Sequence, residues 1–194
     1  MTFSVRRYDK SDEPSWLRCR LLGFFDSSYF DDVHRTKPAL NPGSIELVAV
    51  DDGGEIVGIL DVEVAEDSST IDCIVVAPTT RGQGVATALF EFARRLLPDS
   101  VRSIDAWTRE DAAANAWYLK SGFSVAFRYL HVYLDSNADS PEAVEGFETP
   151  SGLSRPVTAF MHAPIGQEVE LRARFRRVHE CRQYVLDLKP DYNG

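Results

Sequence analysis

Residues 75–86 read Val-Val-Ala-Pro-Thr-Thr-Arg-Gly-Gln-Gly-Val-Ala, and this stretch decides the fold. Its apolar start predicts a strand, the proline predicts a turn, and the glycines precede a helical pattern. A glycine-rich loop between a strand and a helix points several backbone N–H groups at one place, beside the positive end of the helix dipole. The stretch therefore predicts an anion site that suits a phosphate or a pyrophosphate.

The loop and the helix after it carry separate signals. Gly82 and Gly84 have no Cβ, so the backbone can bend sharply and approach phosphate oxygens closely. Apolar residues then recur at helical spacing until Pro98, and they are Val85, Leu89, Phe92 and Leu96. A helix is therefore expected to begin directly after the loop.

A second signature occupies residues 105–123, Asp-Ala-Trp-Thr-Arg-Glu-Asp-Ala-Ala-Ala-Asn-Ala-Trp-Tyr-Leu-Lys-Ser-Gly-Phe. Thr108 and Asp111 have the spacing of a capping box, and the alanine-rich run 112–116 favours helix. Gly122 stands where a left-handed cap is expected at the C-terminal end of that helix. The segment predicts a strand, a helix and a tight exit from the helix.

The two signatures resemble those of the GNAT acetyltransferase superfamily. The matching residues are Arg81, Gly84 and Ala86 in the pyrophosphate loop, and Asn115, Tyr118, Gly122 and Phe123 in the second motif. The resemblance covers roughly residues 3–134 and implies an α+β fold of three layers (α/β three-layer). It implies a mixed, mostly antiparallel sheet with a splayed central strand pair and helices on both faces. The C-terminal part lies outside the resemblance and is expected to add extra strands.

The resemblance also implies acetyl-CoA as the co-substrate, with no metal. Coenzyme A would enter the gap between the strands at 71–77 and 101–107, where the backbone of Val75 and Val76 would bind the pantetheine arm. Asn115 would help to hold the same arm. The implied cofactor-binding residues are Val75, Val76, Arg81, Gly82, Gln83, Gly84, Val85, Ala86, Thr87, Asn115 and Tyr118.

Two other interpretations of the loop stay open. Gly82-x-Gly84 after a strand, with Asp105 further along, also mimics a dinucleotide-binding fingerprint. Thr87 replaces the third glycine of that fingerprint, and the strand is internal to the chain, whereas that motif usually opens its domain. A tight strand-to-helix connection that binds no ligand would show the same pattern.

Acetyl transfer to an amine needs a general acid, a carbonyl donor and a general base. By resemblance, Tyr118 would give a proton to the leaving thiolate, and the backbone N–H of Val76 would polarise the thioester carbonyl. Glu63 is the first candidate for the base, in a strand that enters the core. The other candidates are Asp61, which shares its face, together with Asp72, His34 and His131.

The composition bounds the class of protein. The net charge of −9 argues against nucleic-acid binding and is compatible with a cationic acceptor. No stretch has the form of a signal peptide or of a membrane span. The three separate cysteines fit reduced thiols in a cytoplasm, and the four histidines lack metal-ligand spacing.

The chain is expected to comprise an acetyltransferase domain, residues 1–134, and a C-terminal extension, residues 135–194. Residues 27–34 predict a second helix or an ordered loop over the acceptor site. Residues 167–188 alternate apolar and polar positions like a half-buried strand, long and bent or folded as a hairpin, and a helix stays open there. The extension would pack on the core or be swapped with it, and a homodimer is one arrangement it allows.

The first hypothesis is a cytoplasmic N-acetyltransferase that moves acetyl from acetyl-CoA to a primary amine of a small molecule or a protein. The amine would attack directly in a ternary complex, with Tyr118 as the general acid. The alternative is a non-catalytic acyl-CoA-binding or sensing module of the same fold. Resemblance in fold implies the donor and leaves the acceptor open.

Overall fold

The computed structural model describes residues 2–140, 143, 145 and 147–188. The strands are β1 (Phe3–Arg7), β2 (Ile45–Asp51), β3 (Ile56–Val64), β4 (Ser68–Val76), β5 (Ser103–Thr108), β6 (Ser124–Asp135), β7 (Thr158–Pro164) and β8 (Arg177–Asp187). The α-helices are α1 (Glu13–Phe25), α2 (Val85–Leu96), α3 (Ala112–Lys120) and α4 (Glu168–Arg174). Short 3-10 turns precede α1, follow β4 and precede α4.

The strands form one sheet in the order β1-β2-β3-β4-β5-β8-β6-β7. All neighbours are antiparallel except β4 and β5, which are parallel. That parallel pair runs only from Ser68 opposite Ser103 to Ile71 opposite Ala106, so the two strands part beyond those residues. The predicted α+β class, with its mixed sheet and splayed central pair, is confirmed.

A β-bulge lies at the point where β4 leaves β5. Asp61 of β3 pairs with Cys73, whereas the next residue, Val62, pairs with Ile71, so Asp72 is left without an opposite residue. A bulge bends its strand and redirects side chains, and bulges concentrate near functional sites. Asp72 is exposed as a result.

Helices cover both faces of the sheet. Trp16 and Cys19 of α1 pack on one face against Val48 and Ile59. The other face carries α2 and α3, whose core residues include Leu89 and Tyr118. Alternate residues of β2 and β3 supply the two clusters, as the two-residue period of a strand requires.

Helix α1 lies very close to β4 because residue 23 is glycine. A Cβ on Gly23 would stand 2.1 Å from Cγ1 of Val75, which no side chain can accept. This contact brings the C-terminal end of α1 beside the last residues of β4, where the anion loop begins.

The C-terminal part of the chain builds the far half of the sheet. β8 lies between β5 and β6, and β7 forms the edge. A separate core of apolar side chains joins β6, β8 and the end of α4, and its buried members include Leu130, Val132, Phe175 and Val178. The division into residues 1–134 and 135–194 stays a prediction, although both parts contribute to one sheet.

Residues 168–174 are helical, so the strand pattern assigned to 167–188 is wrong over this part and correct from 177 onward. Val169 is 87% exposed, so the apparent apolar alternation does not mark a buried face there. The helix is favoured by an ion pair of 2.9 Å between Glu168 and Arg172, four residues apart. Acidic residues also occupy its first turn and basic residues its last turn, which complements the helix dipole.

Candidate active site

A cavity of about 700 Å³ occupies the gap between the parted strands. Trp16 and Phe24 of α1 line it on one side of the sheet, and Thr87 and Trp117 of the opposite helical layer line it on the other. Because residues from both layers share one cavity, two ligands can enter from opposite faces and meet between β4 and β5.

The anion loop forms one end of this cavity. Gly82 and Gly84 have φ angles of 77° and 83°, in the left-handed region that favours glycine, and Gly84 is the N-terminal cap of α2. The guanidinium of Arg81 donates to the carbonyl of Gly23 at 2.7 Å, which ties the loop to α1. This geometry leaves the first N–H groups of α2 facing the cavity as an anion site.

The predicted donor residues largely line the same cavity. Those that line it are Val75, Val76, Arg81, Gly82, Gly84, Val85, Ala86, Thr87 and Tyr118. Gln83 is directed back to the carbonyl of Thr79, to which its Nε2 donates at 3.3 Å. Contact of Gln83 with the donor stays a prediction.

The backbone of β4 presents a free edge to the gap. The N–H of Ala77 donates to the carbonyl of Val57 in β3 at 2.9 Å. Successive N–H groups of a strand point to opposite sides, so the N–H of Val76 points toward β5. The ladder with β5 ends at Ile71, and the N–H of Val76 therefore faces the cavity.

Tyr118 has the surroundings of a buried phenol that keeps its proton. Its side chain is 4% exposed and stacks on Tyr184, with ring centroids 5.0 Å apart, while Phe123 meets its ring edge-on. Burial raises the pKa of Tyr118 well above its ordinary value. Its hydroxyl has no hydrogen-bond partner among the residues described, so it is available to a ligand in the cavity.

Asn115 is engaged within the protein. Its Nδ2 donates to the carbonyls of Arg109 and Asp111, at 2.9 and 2.6 Å. Its Oδ1 accepts from Nη1 of Arg182 and from the hydroxyl of Tyr184, at 3.0 and 2.6 Å. Asn115 thus joins α3 to β8, and its direct contact with the pantetheine arm stays a prediction.

The acidic candidates for the general base separate into two groups. Glu63 and Asp72 line the cavity, and neither side-chain carboxylate makes an ion pair or a hydrogen bond within the described part of the chain. Asp61 is 1% exposed and lies 2.8 Å from Nζ of Lys37, which also contacts Glu46 at 2.6 Å. Burial, opposed by Lys37, raises the pKa of Asp61 to about 6, and this carboxylate serves a buried ion pair.

The two histidine candidates also differ. His34 lines the cavity, with Nε2 3.2 Å from Oδ1 of Asp32. His131 accepts from Nε of Arg109 at 3.3 Å and lies 2.7 Å from the hydroxyl of Tyr129. Burial and the positive charge of Arg109 lower the pKa of His131 to about 4, so it is neutral at physiological pH and engaged on both ring nitrogens.

Comparison with known proteins agrees with this geometry. Residues 42–125 match the family model described as an acetyltransferase (GNAT) domain. This part of the chain is thus similar to a GNAT acetyltransferase domain. The resemblance and the family of enzyme expected from the two signatures are therefore confirmed. A search of curated proteins found no significant match to the sequence.

Solved structures share the fold of the GNAT domain at low sequence identity. The ribosomal-protein-S18-alanine N-acetyltransferase of Escherichia coli has a TM-score of 0.59 at 14% identity, with 100% of this chain and 99% of that chain covered. Nourseothricin acetyltransferase has a TM-score of 0.58 at 17% identity, covering 97% and 100%. The paia N-acetyltransferase of Thermoplasma acidophilum, in complex with coenzyme A, has a TM-score of 0.53 at 11% identity, covering 65% and 92%.

An arginine clamp outside the matched residues fixes the loop after α1. The guanidinium of Arg177, on β8, contacts Asp31 through two nitrogens at 2.5 and 2.8 Å. The same group lies over Tyr133 and Phe30, 3.9 and 4.6 Å from their ring centroids, and donates to the carbonyl of Ser28. Residues 27–34 therefore form an ordered loop and not the second helix that the sequence also allowed.

Arg109, which directly follows β5, holds the same loop. Its backbone N–H donates to the hydroxyl of Tyr29 at 2.8 Å, and its guanidinium lies 4.2 Å from the centre of the Tyr29 ring. Tyr29 lines the cavity, so the clamp places an aromatic side chain in the wall of the site. Sequence reasoning missed Arg109 and Arg177, and the aromatic segment around residues 24–30 was the available signal.

The described residues include neither a metal-binding cluster nor a membrane-spanning helix. Among them, no group of three or more His, Cys, Asp or Glu side chains has the geometry to hold a metal ion. No helix in that same set is long and apolar enough to cross a bilayer. The absence of a metal stays a prediction for the enzyme.

Proposed function

We propose that this protein transfers an acetyl group from acetyl-CoA to a primary amine in a ternary complex. The observation that carries the proposal is the unbonded hydroxyl of Tyr118, in a cavity that begins at the anion loop and passes through the sheet. A cavity open to both layers suits a donor on one side and an amine on the other.

The donor would lie along the edge of β4. The pyrophosphate would accept hydrogen bonds from the N–H groups of the loop at residues 81–87, beside the N-terminus of α2. The pantetheine arm would extend along Val75 and Val76 in place of the missing ladder with β5. The relative from Thermoplasma acidophilum in complex with coenzyme A supports coenzyme A as the ligand.

The proposed reaction proceeds by direct attack. The amine nitrogen forms a bond to the carbonyl carbon of the thioester, and the N–H of Val76 stabilises the oxyanion that develops. The C–S bond then breaks, and Tyr118 gives its proton to the sulfur, which leaves as the thiol of coenzyme A. Glu63, the first choice, or Asp72 accepts the proton lost by nitrogen, and water returns it to Tyr118.

Further properties of the enzyme are part of the proposal. Two of the similar structures are named for their acceptors, which are the alanine of ribosomal protein S18 and the small molecule nourseothricin. The fold therefore serves both classes of amine.

Cys19, Cys73 and Cys181 are free and buried, which fits a cytoplasmic protein with reduced thiols. A homodimer built through the C-terminal strands is also proposed, and a monomer by light scattering at micromolar concentration would contradict it.

Tyr118→Phe distinguishes the enzyme from a non-catalytic acyl-CoA sensor. Removal of the phenolic proton donor should lower kcat by about 10²- to 10⁴-fold, the usual contribution of a general acid, while coenzyme A affinity is retained. Steady-state rates and calorimetric titration with coenzyme A measure the two quantities. Tyr8→Phe, outside the cavity, is the matched control. Equal turnover by wild type and Tyr118→Phe would contradict the proposed role of the phenol. Binding of coenzyme A without turnover by either protein would favour the sensor.

A further inference from the structure

Three aromatic rings form an open surface on the α1 side of the sheet. Trp107 of β5 meets Phe127 and Tyr129 of β6 edge-on, with centroids 6.3 and 5.5 Å away, and Phe127 and Tyr129 lie 6.1 Å apart. Trp107 is 40% exposed and Phe127 is 55% exposed. We call these three residues the ring platform. Contiguous exposed apolar surface of this kind marks an interaction site more often than single exposed residues do.

The ring platform is continuous with the cavity. Ile71 and Ala106 are the last paired residues of β4 and β5, and the residues that follow them are Asp72 and Trp107. Both Asp72 and Trp107 line the cavity. The platform therefore begins at the point where the strands part and the cavity opens along β4.

A second aromatic wall lines the same cavity. Phe24 and Tyr29 stack on each other with centroids 5.1 Å apart, and both are cavity residues. The nearby positive charge of Arg20 is matched by Asp32 at 2.7 Å. An apolar ligand group that enters between this wall and the ring platform would therefore contact aromatic rings. It would meet no net charge from Arg20, because Asp32 neutralises that residue.

The charge at this entrance is negative. Asp72 is exposed and Glu63 is half-buried, and across the described residues neither has a cationic partner. Unpaired carboxylates attract an ammonium group and repel a carboxylate or a phosphate. Aromatic faces add a further attraction for cations. The entrance combines apolar area with selectivity for positive charge.

We propose that the acceptor is an arylalkyl primary amine, an aromatic ring joined by a short chain to one ammonium group and carrying no carboxylate. Its ring would lie on the ring platform, and its ammonium would lie between the aromatic walls, toward Asp72. The proposal rests on the acetyl transfer proposed above and names the substrate class of that site. Polyamines lack the apolar body, and free amino acids bring a carboxylate that Asp72 and Glu63 repel.

The test is a comparison of acceptors with the purified full chain and saturating acetyl-CoA. The acceptors are 2-phenylethylamine, spermidine and phenylalanine, and the release of coenzyme A thiol is measured. The kcat/KM for 2-phenylethylamine should exceed that for each of the others by about tenfold or more, a ratio typical of one apolar group accepted in a pocket. A higher kcat/KM for spermidine or for phenylalanine would overturn the proposed class.

Variants of the platform provide the second part of the test. Trp107→Ala and Phe127→Ala should each raise the KM for 2-phenylethylamine about tenfold, with little change in kcat or in the KM for acetyl-CoA, because they remove binding area and no reacting group. Phe160→Ala is the matched control, since this ring is 52% exposed on the same half of the sheet and contacts His131, Tyr133 and His162. Its KM should stay at the wild-type value.

The outcomes separate the two proposals. Unchanged KM values in both platform variants would overturn the arylalkyl amine while leaving acetyl transfer intact. Phe127→Ala keeps the test decisive if Trp107→Ala fails to fold, because the Phe127 side chain is more exposed. Failure of coenzyme A to bind the wild-type protein would overturn the proposed function, and with it the acceptor assignment.

Discussion

Gly84 is the residue on which the anion loop depends most directly. Its φ of 83° is rarely adopted by other residues, and no atom lies within 4 Å of the position a Cβ would take. A Cβ there would therefore extend into open space in front of α2, where we place the pyrophosphate. Gly84→Ala should weaken coenzyme A binding about tenfold or more, because one lost close contact and a strained cap together exceed about 1.4 kcal/mol.

Gly152→Ala is the control for Gly84→Ala. Gly152 has a φ of 85° and equally empty space around its Cβ position, but lies in a surface segment outside the cavity. Both variants should lose similar stability, of about 1 kcal/mol. Calorimetric titration with coenzyme A and urea denaturation separate the two effects. Equal coenzyme A affinity in the two variants would contradict the position of the pyrophosphate.

Asp61 gives the protein a pH-dependent stability. Burial raises its pKa from 3.8 to about 6, so the folded state holds this proton more tightly than the unfolded chain does. The contribution of Asp61 to the free energy of unfolding is therefore greatest below pH 4 and falls as the pH rises to about 6. Asp61→Asn should remove this fall.

Urea denaturation at pH 4.5 and pH 6.5 measures this effect. Between pH 4.5 and pH 6.5, the contribution of Asp61 should lower the free energy of unfolding of the wild type. This decrease should be absent in Asp61→Asn. Asp52→Asn, in the exposed turn between β2 and β3, should retain the wild-type slope. A slope in Asp61→Asn equal to that of wild type would show that the proton on Asp61 does not contribute.

The loop between α1 and β2 is an element held in place by another part of the chain. Arg177 of β8 binds Asp31 and Ser28, so it positions the segment that carries Tyr29. Arg177→Ala should raise the KM for an amine acceptor several-fold, because the ion pair, the ring contacts and the order of the wall are lost together. The KM for acetyl-CoA should not change, since the anion loop is tied to α1 through Arg81.

Arg176→Ala is the neighbouring control for Arg177→Ala. The side chain of Arg176 is exposed, and the backbone N–H of this residue donates to Oδ1 of Asp139 at 2.8 Å. Arg177→Lys keeps the charge without the planar fork and should give an intermediate KM. An equal rise in the KM for acetyl-CoA in Arg177→Ala would show that the residue supports the whole fold and has no specific effect on the acceptor wall.

Elements with local signals were predictable from the sequence. The anion loop, α2 and α3 follow from glycine positions, apolar spacing and caps that lie within a few residues of each other. Over α4 the sequence favours a strand and leaves a helix open, because Val169, Leu171 and Ala173 alternate like strand residues. The acidic first turn and basic last turn of this segment signal a helix. These terminal charges stabilise the helix, whereas the alternation reflects no buried face.

The arrangement of distant elements was not predictable. Two features join residues that are far apart in sequence. β8 inserts between β5 and β6, and Arg177 pairs with Asp31. No local propensity encodes such contacts, because they form only when the sheet is assembled. The candidate site divides in the same way, with a donor half that is largely local and an acceptor half that depends on β8 and on the loop after α1.

At the scale of the whole molecule, the proposed function depends on coenzyme A as the ligand of the cavity. Thermal unfolding of the full chain with acetyl-CoA, with coenzyme A, with NAD⁺ and without ligand tests this most directly. A ligand that binds only the folded state adds about 2.7 kcal/mol of stability at 100 times its Kd, which is a clear rise in Tm. We predict a rise with acetyl-CoA and with coenzyme A alone, whereas no rise with either, or a rise only with NAD⁺, would contradict the account.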